Sequence, residues 1–238
     1  MLNAVAAIGL AALPAIAILL YVRKLDRARP EPVGLIGRSV LYGFIAVIPT
    51  AAIELSLGTF VPSPDGLAGR FYESFIVAGL IEEGAKLFFL RRYIFRRREF
   101  DERADGIVYA VCVSLGFAFA ENVMYGFEDP FVLVARAVTA VPGHAIFSGI
   151  MGYYVGIAKI EGRGKGAGTL AKGLFWAVFL HGLYDFLVLS GPAVAFVAAL
   201  LPAGGVALAR LFRSSLERDA ADAASVDRRR GSGHMDGR

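Results

Sequence analysis

The chain has 238 residues, of which 56% are hydrophobic, and its mean hydropathy is +0.58. A single soluble domain of this size cannot bury that much apolar surface, so most of it is expected to face lipid. The net charge of +4 and the pI near 9.3 would suit a nucleic-acid partner, but the basic residues cluster between apolar stretches. This pattern indicates membrane topology and argues against nucleic-acid binding.

Seven apolar windows follow one another along the chain, and each is long enough for a helix to cross a bilayer core of roughly 30 Å. They cover approximately residues 2–22, 35–57, 71–90, 105–126, 131–160, 170–190 and 193–212. The fifth window is too long for one untilted helix, and Pro142-Gly143 predicts a break with the main span on its C-terminal side. We therefore predict an all-α, multi-pass transmembrane bundle of about seven helices in the cell membrane.

The distribution of Lys and Arg predicts the orientation of this bundle. Residues 23–38, 91–103, 159–172 and 210–238 hold 22 of the 25 basic residues, and all four segments share one side if the N-terminus lies outside. We therefore expect an outer N-terminus and a cytoplasmic C-terminus. Residues 1–213 are predicted to form the membrane domain, and residues 214–238, poor in large apolar side chains, a disordered cytoplasmic tail.

Several ionisable residues fall inside the apolar windows. Such a side chain costs a few kcal/mol or more in the hydrocarbon core, so it needs a partner, a wet cavity or a function. Glu82 and Lys86 in the third window are four residues apart and share a helix face, which predicts a buried ion pair. The neighbouring Glu83 points about 100° away from Glu82.

The next windows carry further polar residues at helical spacing. His144 follows the predicted break, and His181 and Asp185 lie one turn apart on one face of the sixth helix. Such spacing lets Asp185 orient His181, or lets both approach one ion. Glu82, His144 and His181 each fall near the middle of their helices, so we expect them to meet at a similar depth.

These residues form four blocks that together resemble the PrsW family, which is related to the intramembrane proteases that include the CAAX prenyl endopeptidases. The resemblance covers roughly residues 71–190. The blocks are Glu82-Glu83-x-x-Lys86, Phe117-Ala118-x-x-Glu121-Asn122, Pro142-Gly143-His144-Ala145 and His181-x-x-x-Asp185. The resemblance implies an endopeptidase that cleaves a membrane-anchored protein, such as an anti-sigma factor in a stress-response cascade of intramembrane proteolysis.

The resemblance also implies roles for the residues. A Glu of the pair Glu82 and Glu83 acts as the base, His144 helps to hold the water, and His181 with Asp185 supports the oxyanion or orients the site. Three further residues are expected to support this site, namely Lys86, Glu121 and Asn122. No cofactor is expected in this mechanism, and the partners are the substrate and the lipid bilayer.

A zinc-dependent version of the same protease stays open. The CAAX branch carries Asn where this chain has Asp185, and an ionised Asp only accepts hydrogen bonds. That departure favours a site in which zinc is held by His144, His181, Asp185 and Glu82, with Glu83 as the base. Outside the protease class, buried Glu, His and Asp also suit a proton-coupled transporter or an inactive scaffold, although no inverted repeat typical of carriers is evident.

Overall fold

The computed structural model describes residues 4–27, 29–60, 66–126, 130–162 and 166–232 of the chain, and every regular element within them is helical. Six helical stretches in these ranges are long and apolar enough to cross a membrane. They are Ile8–Leu25, Val33–Gly58, Arg103–Tyr125, Phe131–Ile160, Gly166–Leu189 and Gly191–Val226. The predicted class, a multi-pass helical membrane protein, is confirmed, whereas the side on which each end lies stays a prediction.

The helices correspond closely to the predicted windows. In chain order they are α1 (Ala4–Leu25), α2 (Val33–Gly58), α3 (Leu67–Phe71), α4 (Ile81–Phe89), α5 (Arg103–Gly126), α6 (Pro130–Val138), α7 (Ala140–Ile160), α8 (Gly166–Leu189) and α9 (Val197–Ser232). The π-helical segment Tyr72–Leu80 joins α3 to α4, and a second one, Leu90–Ile94, extends α4, so residues 67–94 form one composite helix. This composite helix is the third predicted span. Its first π-helical segment ends at Leu80, two residues before Glu82, and π-helical turns are concentrated at functional sites.

Helix α5 lies at the centre of the bundle, where it packs against α1, α2 and α7. Its membrane-length window is 78% buried, more than any other span. The α5–α7 crossing is close because glycines face each other there: a Cβ on Gly152 would overlap the backbone of Gly106. Small residues at such crossings let helix backbones approach in a membrane, where dispersion and shape complementarity stabilise the bundle.

A second close crossing joins the composite helix to α8. A Cβ on Gly79 would lie 3.1 Å from the carbonyl oxygen of Val178, and one on Gly182 would overlap the ring of Phe75. These two glycines therefore bring the first π-helical segment of the composite helix close to α8, next to the polar residues that both helices carry.

The break in the fifth window differs in position from its prediction. Helix α6 ends at Val138 and α7 begins at Ala140, so the interruption lies at Thr139, three residues before Pro142. The reason is that proline is tolerated within the first turn of a helix, where its missing N–H has no helical acceptor. The expected main span on the C-terminal side is α7.

The C-terminal segment also differs from its prediction. Residues 214–232, expected to be disordered, continue α9 as a helix, and residues 233–238 lie outside the described residues. Specific contacts explain why residues 214–232 are helical. The guanidinium of Arg103 lies 3.0 Å from Asp219 and 2.7 Å from Asp222, and a second Asp219 oxygen accepts the N–H of Ala104. Charged residues that look solvated in the sequence therefore dock α9 onto the start of α5.

Candidate active site

The polar residues predicted to meet do lie together in the bundle. Helix α4 supplies Glu82, Glu83 and Lys86, α7 supplies His144, and α8 supplies His181. All five are buried, with at most 5% of their surface exposed. The rings of the two histidines meet edge to face, with centroids 4.9 Å apart.

The ammonium group of Lys86 is the hub of this cluster. Its Nζ donates to Glu83 Oε1 at 2.7 Å and to Glu82 Oε2 at 3.3 Å, and it lies 3.0 Å from His144 Nδ1. The ring of Phe117, 4.3 Å away, adds a cation–π contact. The predicted Glu82–Lys86 pair is present, but the Glu83–Lys86 pair is the shorter one.

The carboxylate of Glu83 is fully engaged and fully buried. Besides the Lys86 contact, its Oε1 lies 3.1 Å from His181 Nδ1, and its Oε2 accepts a hydrogen bond from Ser148 at 2.7 Å. Glu83 lines neither of the two cavities that open onto the cluster. Through these contacts the Glu83 side chain, on α4, holds α7 and α8 against α4, and we call it the anchor of the cluster.

The carboxylate of Glu121, on α5, also belongs to the cluster. Its Oε2 lies 2.8 Å from His144 Nε2, and its Oε1 lies 2.7 Å from the guanidinium of Arg136. Arg136 also donates to the side-chain oxygen of Asn122 at 3.2 Å and covers the ring of Tyr125. Glu121 and Asn122, predicted as supporting residues, thus connect α6 to the histidine on α7.

Asp185 lies at the edge of the cluster. One turn beyond His181 on α8, its Oδ2 is 3.2 Å from His181 Nε2, as the spacing predicts. Its side chain is 24% exposed, whereas that of His181 is 3% exposed. Asp185 is therefore the member of the predicted set that is most open to the surroundings.

The arrangement of the two imidazoles fits a divalent metal ion. In each ring one nitrogen faces a carboxylate, Glu121 for His144 and Glu83 for His181, and this contact fixes the orientation of the ring. The other nitrogens, His144 Nδ1 and His181 Nε2, lie 3.9 and 3.8 Å from Glu82 Oε2. The first of them also contacts Lys86 Nζ, and the second also contacts Asp185 Oδ2. Coordinating atoms of Glu82, His144 and His181 all lie within 4.8 Å of one another. Asp185, part of the four-residue zinc set considered from the sequence, lies outside this three-residue group.

Two cavities open onto the cluster. The first, of about 600 Å³, is lined by α2, the composite helix and α5, and we call it the α2 cavity. The second, of about 510 Å³, is lined by residues from the composite helix and from α5 to α9, and we call it the α8 cavity. Glu73, Glu82 and Glu121 line both, whereas His144, His181 and Asp185 line only the α8 cavity of the two. A chain segment lying across both cavities would pass directly beside Glu82.

Two residues of the cluster, Ser148 and Arg136, were not predicted from the sequence to belong to the site. Ser148 lies one turn after His144, so the i, i+4 spacing of two polar residues on an apolar helix would have indicated it. Arg136 belongs to the separate short helix α6, and nothing in the sequence shows that α6 turns it toward Glu121.

The fold and the site define a class: a multi-pass helical membrane protein with a buried carboxylate–imidazole centre open to two cavities. Residues 31–209 match the family described as PrsW family intramembrane metalloprotease. The chain is 37% identical to Protease PrsW of Geobacillus kaustophilus over 179 residues, which cover 74% of this chain and 77% of the relative. It is also 37% identical to Protease PrsW of Bacillus subtilis over 180 residues, 74% and 79% of the two chains. With Protease PrsW of Clostridioides difficile the identity is 34% over 187 residues, 76% and 78% of the two chains.

This chain belongs to the PrsW family, and it is an intramembrane peptidase. The matched segment contains the whole polar cluster, since it runs from before α2 into α9. No solved structure matches the chain.

Proposed function

We propose that Glu82, His144 and His181 form a single hydrolytic centre that cleaves a peptide bond of a membrane-anchored protein. The resemblance to the PrsW family implies a single-span anti-sigma factor as that protein. The observation that carries the proposal is the meeting of these three side chains, from three separate helices, beside two cavities that share Glu82. Burying ionisable groups this deep is costly, so a chain that keeps several of them together gains a function from them.

We further propose that these three residues hold a divalent metal ion, and the two imidazoles with one carboxylate suit zinc. Such an ion would supply Lewis-acid polarisation of the scissile carbonyl and would lower the pKa of a bound water. This agrees with the metalloprotease description of the family. It departs from the expectation that the site works without a cofactor.

The residues around this centre would orient it. Glu83 and Glu121 each hold one nitrogen of an imidazole and so direct the other nitrogen of each ring toward Glu82. Lys86 keeps a fixed positive charge 3.3 Å from the Glu82 carboxylate, where it offsets the negative charge of the acidic cluster.

We assign Asp185 as the acceptor of the proton that the attacking water loses. Both oxygens of Glu121 have partners, and Glu83 lines neither cavity. Asp185 reaches the α8 cavity, and its Oδ2 lies beside His181 Nε2. A general base must come within hydrogen-bond reach of the water, and of these three carboxylates Asp185 meets that condition best.

The proposed function is tested by reconstituting the full chain in liposomes with a single-span anti-sigma factor and following its cleavage. We expect Glu82→Gln to lower the rate on the order of 10³-fold. Glu99→Gln, the same change at an exposed residue outside the cluster, should leave the rate unchanged. Equal cleavage by Glu82→Gln and the parent would overturn the assignment of the centre.

The metal is tested separately by its amount in the purified protein. The parent should retain about one metal ion per chain, and His181→Ala should lose most of it. A parent chain that cleaves the substrate without any retained metal would overturn the metal assignment and leave the hydrolytic centre standing.

A further inference from the structure

The α2 cavity contains polar groups that the hydrolytic centre does not use. Glu54 lies in the last turns of α2, and Glu73 lies near the start of the composite helix. Both line the cavity together with Thr50, and neither contacts the two histidines or Lys86. Both acids lie toward helix ends, so this part of the cavity is near one end of the bundle.

Two buried atoms of this cavity have no partner among the described residues. They are the hydroxyl oxygen of Thr50, a residue only 1% exposed, and Oε1 of Glu54. A buried polar atom without a hydrogen bond costs roughly 1–3 kcal/mol, so binding of a ligand that supplies the missing hydrogen bond is favourable at such atoms in a cavity. An ionised Glu54 carboxylate can only accept a hydrogen bond, and the Thr50 hydroxyl can accept one, so a ligand that donates would satisfy both atoms.

The charge of the cavity points to the same kind of ligand. Four carboxylates line it, those of Glu54, Glu73, Glu82 and Glu121. Glu82 pairs with Lys86, and Glu121 pairs with Arg136, but within the described residues no Lys or Arg forms an ion pair with Glu54 or Glu73. Two carboxylates without a direct ion-pair partner among the described residues, facing one partly enclosed space, attract a cation more strongly than exposed acids do.

We propose that the α2 cavity binds a basic side chain, Lys or Arg, of the membrane-anchored substrate, and that Glu54 and Glu73 select it. This proposal rests on the proposed peptidase function. The cavity borders Glu82, so the basic residue would lie close to the scissile bond. Its place near one end of the bundle suits a basic residue that borders the substrate's transmembrane segment. The cavity of about 600 Å³ has room for a long, flexible basic side chain.

The contribution of such a pair is moderate, because both carboxylates are only partly buried. Pairs between partly exposed charges are weaker than buried ones but stronger than fully solvated ones. We expect a preference of about tenfold for a basic residue over a neutral residue of similar length.

The test uses labelled single-span peptides that differ at one juxtamembrane position, which carries Lys, Met or Glu. Each peptide is titrated into the full chain in a zwitterionic detergent without primary amines, and mass spectrometry of the same samples follows cleavage. The parent should bind the Lys peptide about tenfold more tightly than the Met peptide. Glu54→Gln and Glu73→Gln should reduce that preference, whereas Glu99→Gln, a matched change outside the cavity, should retain it. Glu54→Lys should reverse the preference toward the Glu peptide.

Equal binding of the Lys and Met peptides by the parent would overturn the proposal, and so would a Lys preference that survives Glu54→Gln combined with Glu73→Gln. Phosphatidylethanolamine offers the alternative source of an ammonium group. If that lipid binds in a Glu54-dependent way and the Lys peptide does not, the occupant is lipid and the proposal fails. A Glu54-dependent Lys preference without any cleavage would refute the peptidase function and leave the cation site standing.

Discussion

Replacing Glu83 by Gln should destabilise the bundle strongly, because it removes the principal counter-charge of a buried ammonium. Lys86 is 1% exposed and lies 2.7 Å from Glu83, whereas the Glu82 oxygen lies farther away at 3.3 Å. Breaking a buried ion pair by removing one partner costs roughly 3–5 kcal/mol. Since Glu82 still offsets part of the charge, we expect the lower end of that range, about 3 kcal/mol. At roughly 2–4 °C per kcal/mol for a chain of this size, the melting temperature should fall by about 6–12 °C.

The chain offers its own probe for this measurement. Its single cysteine, Cys112, is fully buried in α5, so a thiol-reactive fluorophore will report unfolding of the central helix. Thermal denaturation in detergent with this dye gives the melting temperature of each variant. The matched control is Glu82→Gln, which removes a carboxylate that lines both cavities. It should lower the melting temperature much less while lowering the cleavage rate strongly.

A double variant separates the charge effect from other causes. Lys86→Met combined with Glu83→Gln removes both charges, so it should be more stable than Glu83→Gln alone. The reasoning fails if Glu83→Gln melts within about 2 °C of the parent, or if Glu82→Gln proves to be the more destabilising of the two. Either result would mean that Glu83 is not the anchor of the cluster.

Three further predictions concern the helix packing and the stability of the bundle around the site. Gly152→Ala should lower the melting temperature by several degrees, because the new Cβ overlaps the backbone of α5. Gly168→Ala, whose new Cβ meets no atom within 4 Å, should leave the melting temperature unchanged. Equal melting of the two variants would contradict the close crossing of α5 and α7. Arg103→Met should release the C-terminal part of α9 from α5. Limited proteolysis should therefore cut after about residue 213 in this variant but not in the parent. Equal resistance of both proteins would show that the Arg103 contacts do not dock α9. Burial, with the nearby Asp105 carboxylate, raises the pKa of Asp26 from 3.8 to about 7, so the folded state binds the extra proton and stability falls as the pH rises from about 4 to 7. Asp26→Asn should reduce this fall of the melting temperature with rising pH, and an unchanged slope would contradict the raised pKa.

The sequence predicted most of the helices because a membrane span has a strong one-dimensional signature. Each window needs about 20 apolar residues, and the charged connections between windows are easy to locate. The expectation that Glu82, His144 and His181 meet rested on their similar depth, and the structure brings them together. Depth along a helix follows from counting residues, so this part of the site was accessible without coordinates.

The remaining features depend on how each helix is rotated about its axis and on contacts between residues far apart in the chain. Counting residues along a helix predicts neither. The π-helical segment Tyr72–Leu80 changes the number of residues per turn just before Glu82, and no local pattern marked it. Glu83 faces Lys86, Ser148 and His181 instead of a cavity because of how α4 is rotated against α7 and α8. The helical state of residues 214–232 depends on Arg103, more than 100 residues earlier in the chain, whose partners in the tail look like ordinary solvated acids in the sequence.

The claim that three helices form one hydrolytic centre is tested most directly by combining substitutions at Glu82, His144 and His181. Cleavage of the reconstituted substrate is measured for each single variant and for each pair, at equal amounts of folded protein. Residues that act as a unit are strongly non-additive, so each single variant should lose on the order of 10³-fold in rate, and each pair should lose little more. Losses that multiply in the pairs, or a single variant that cleaves at nearly the parent rate, would contradict a single centre.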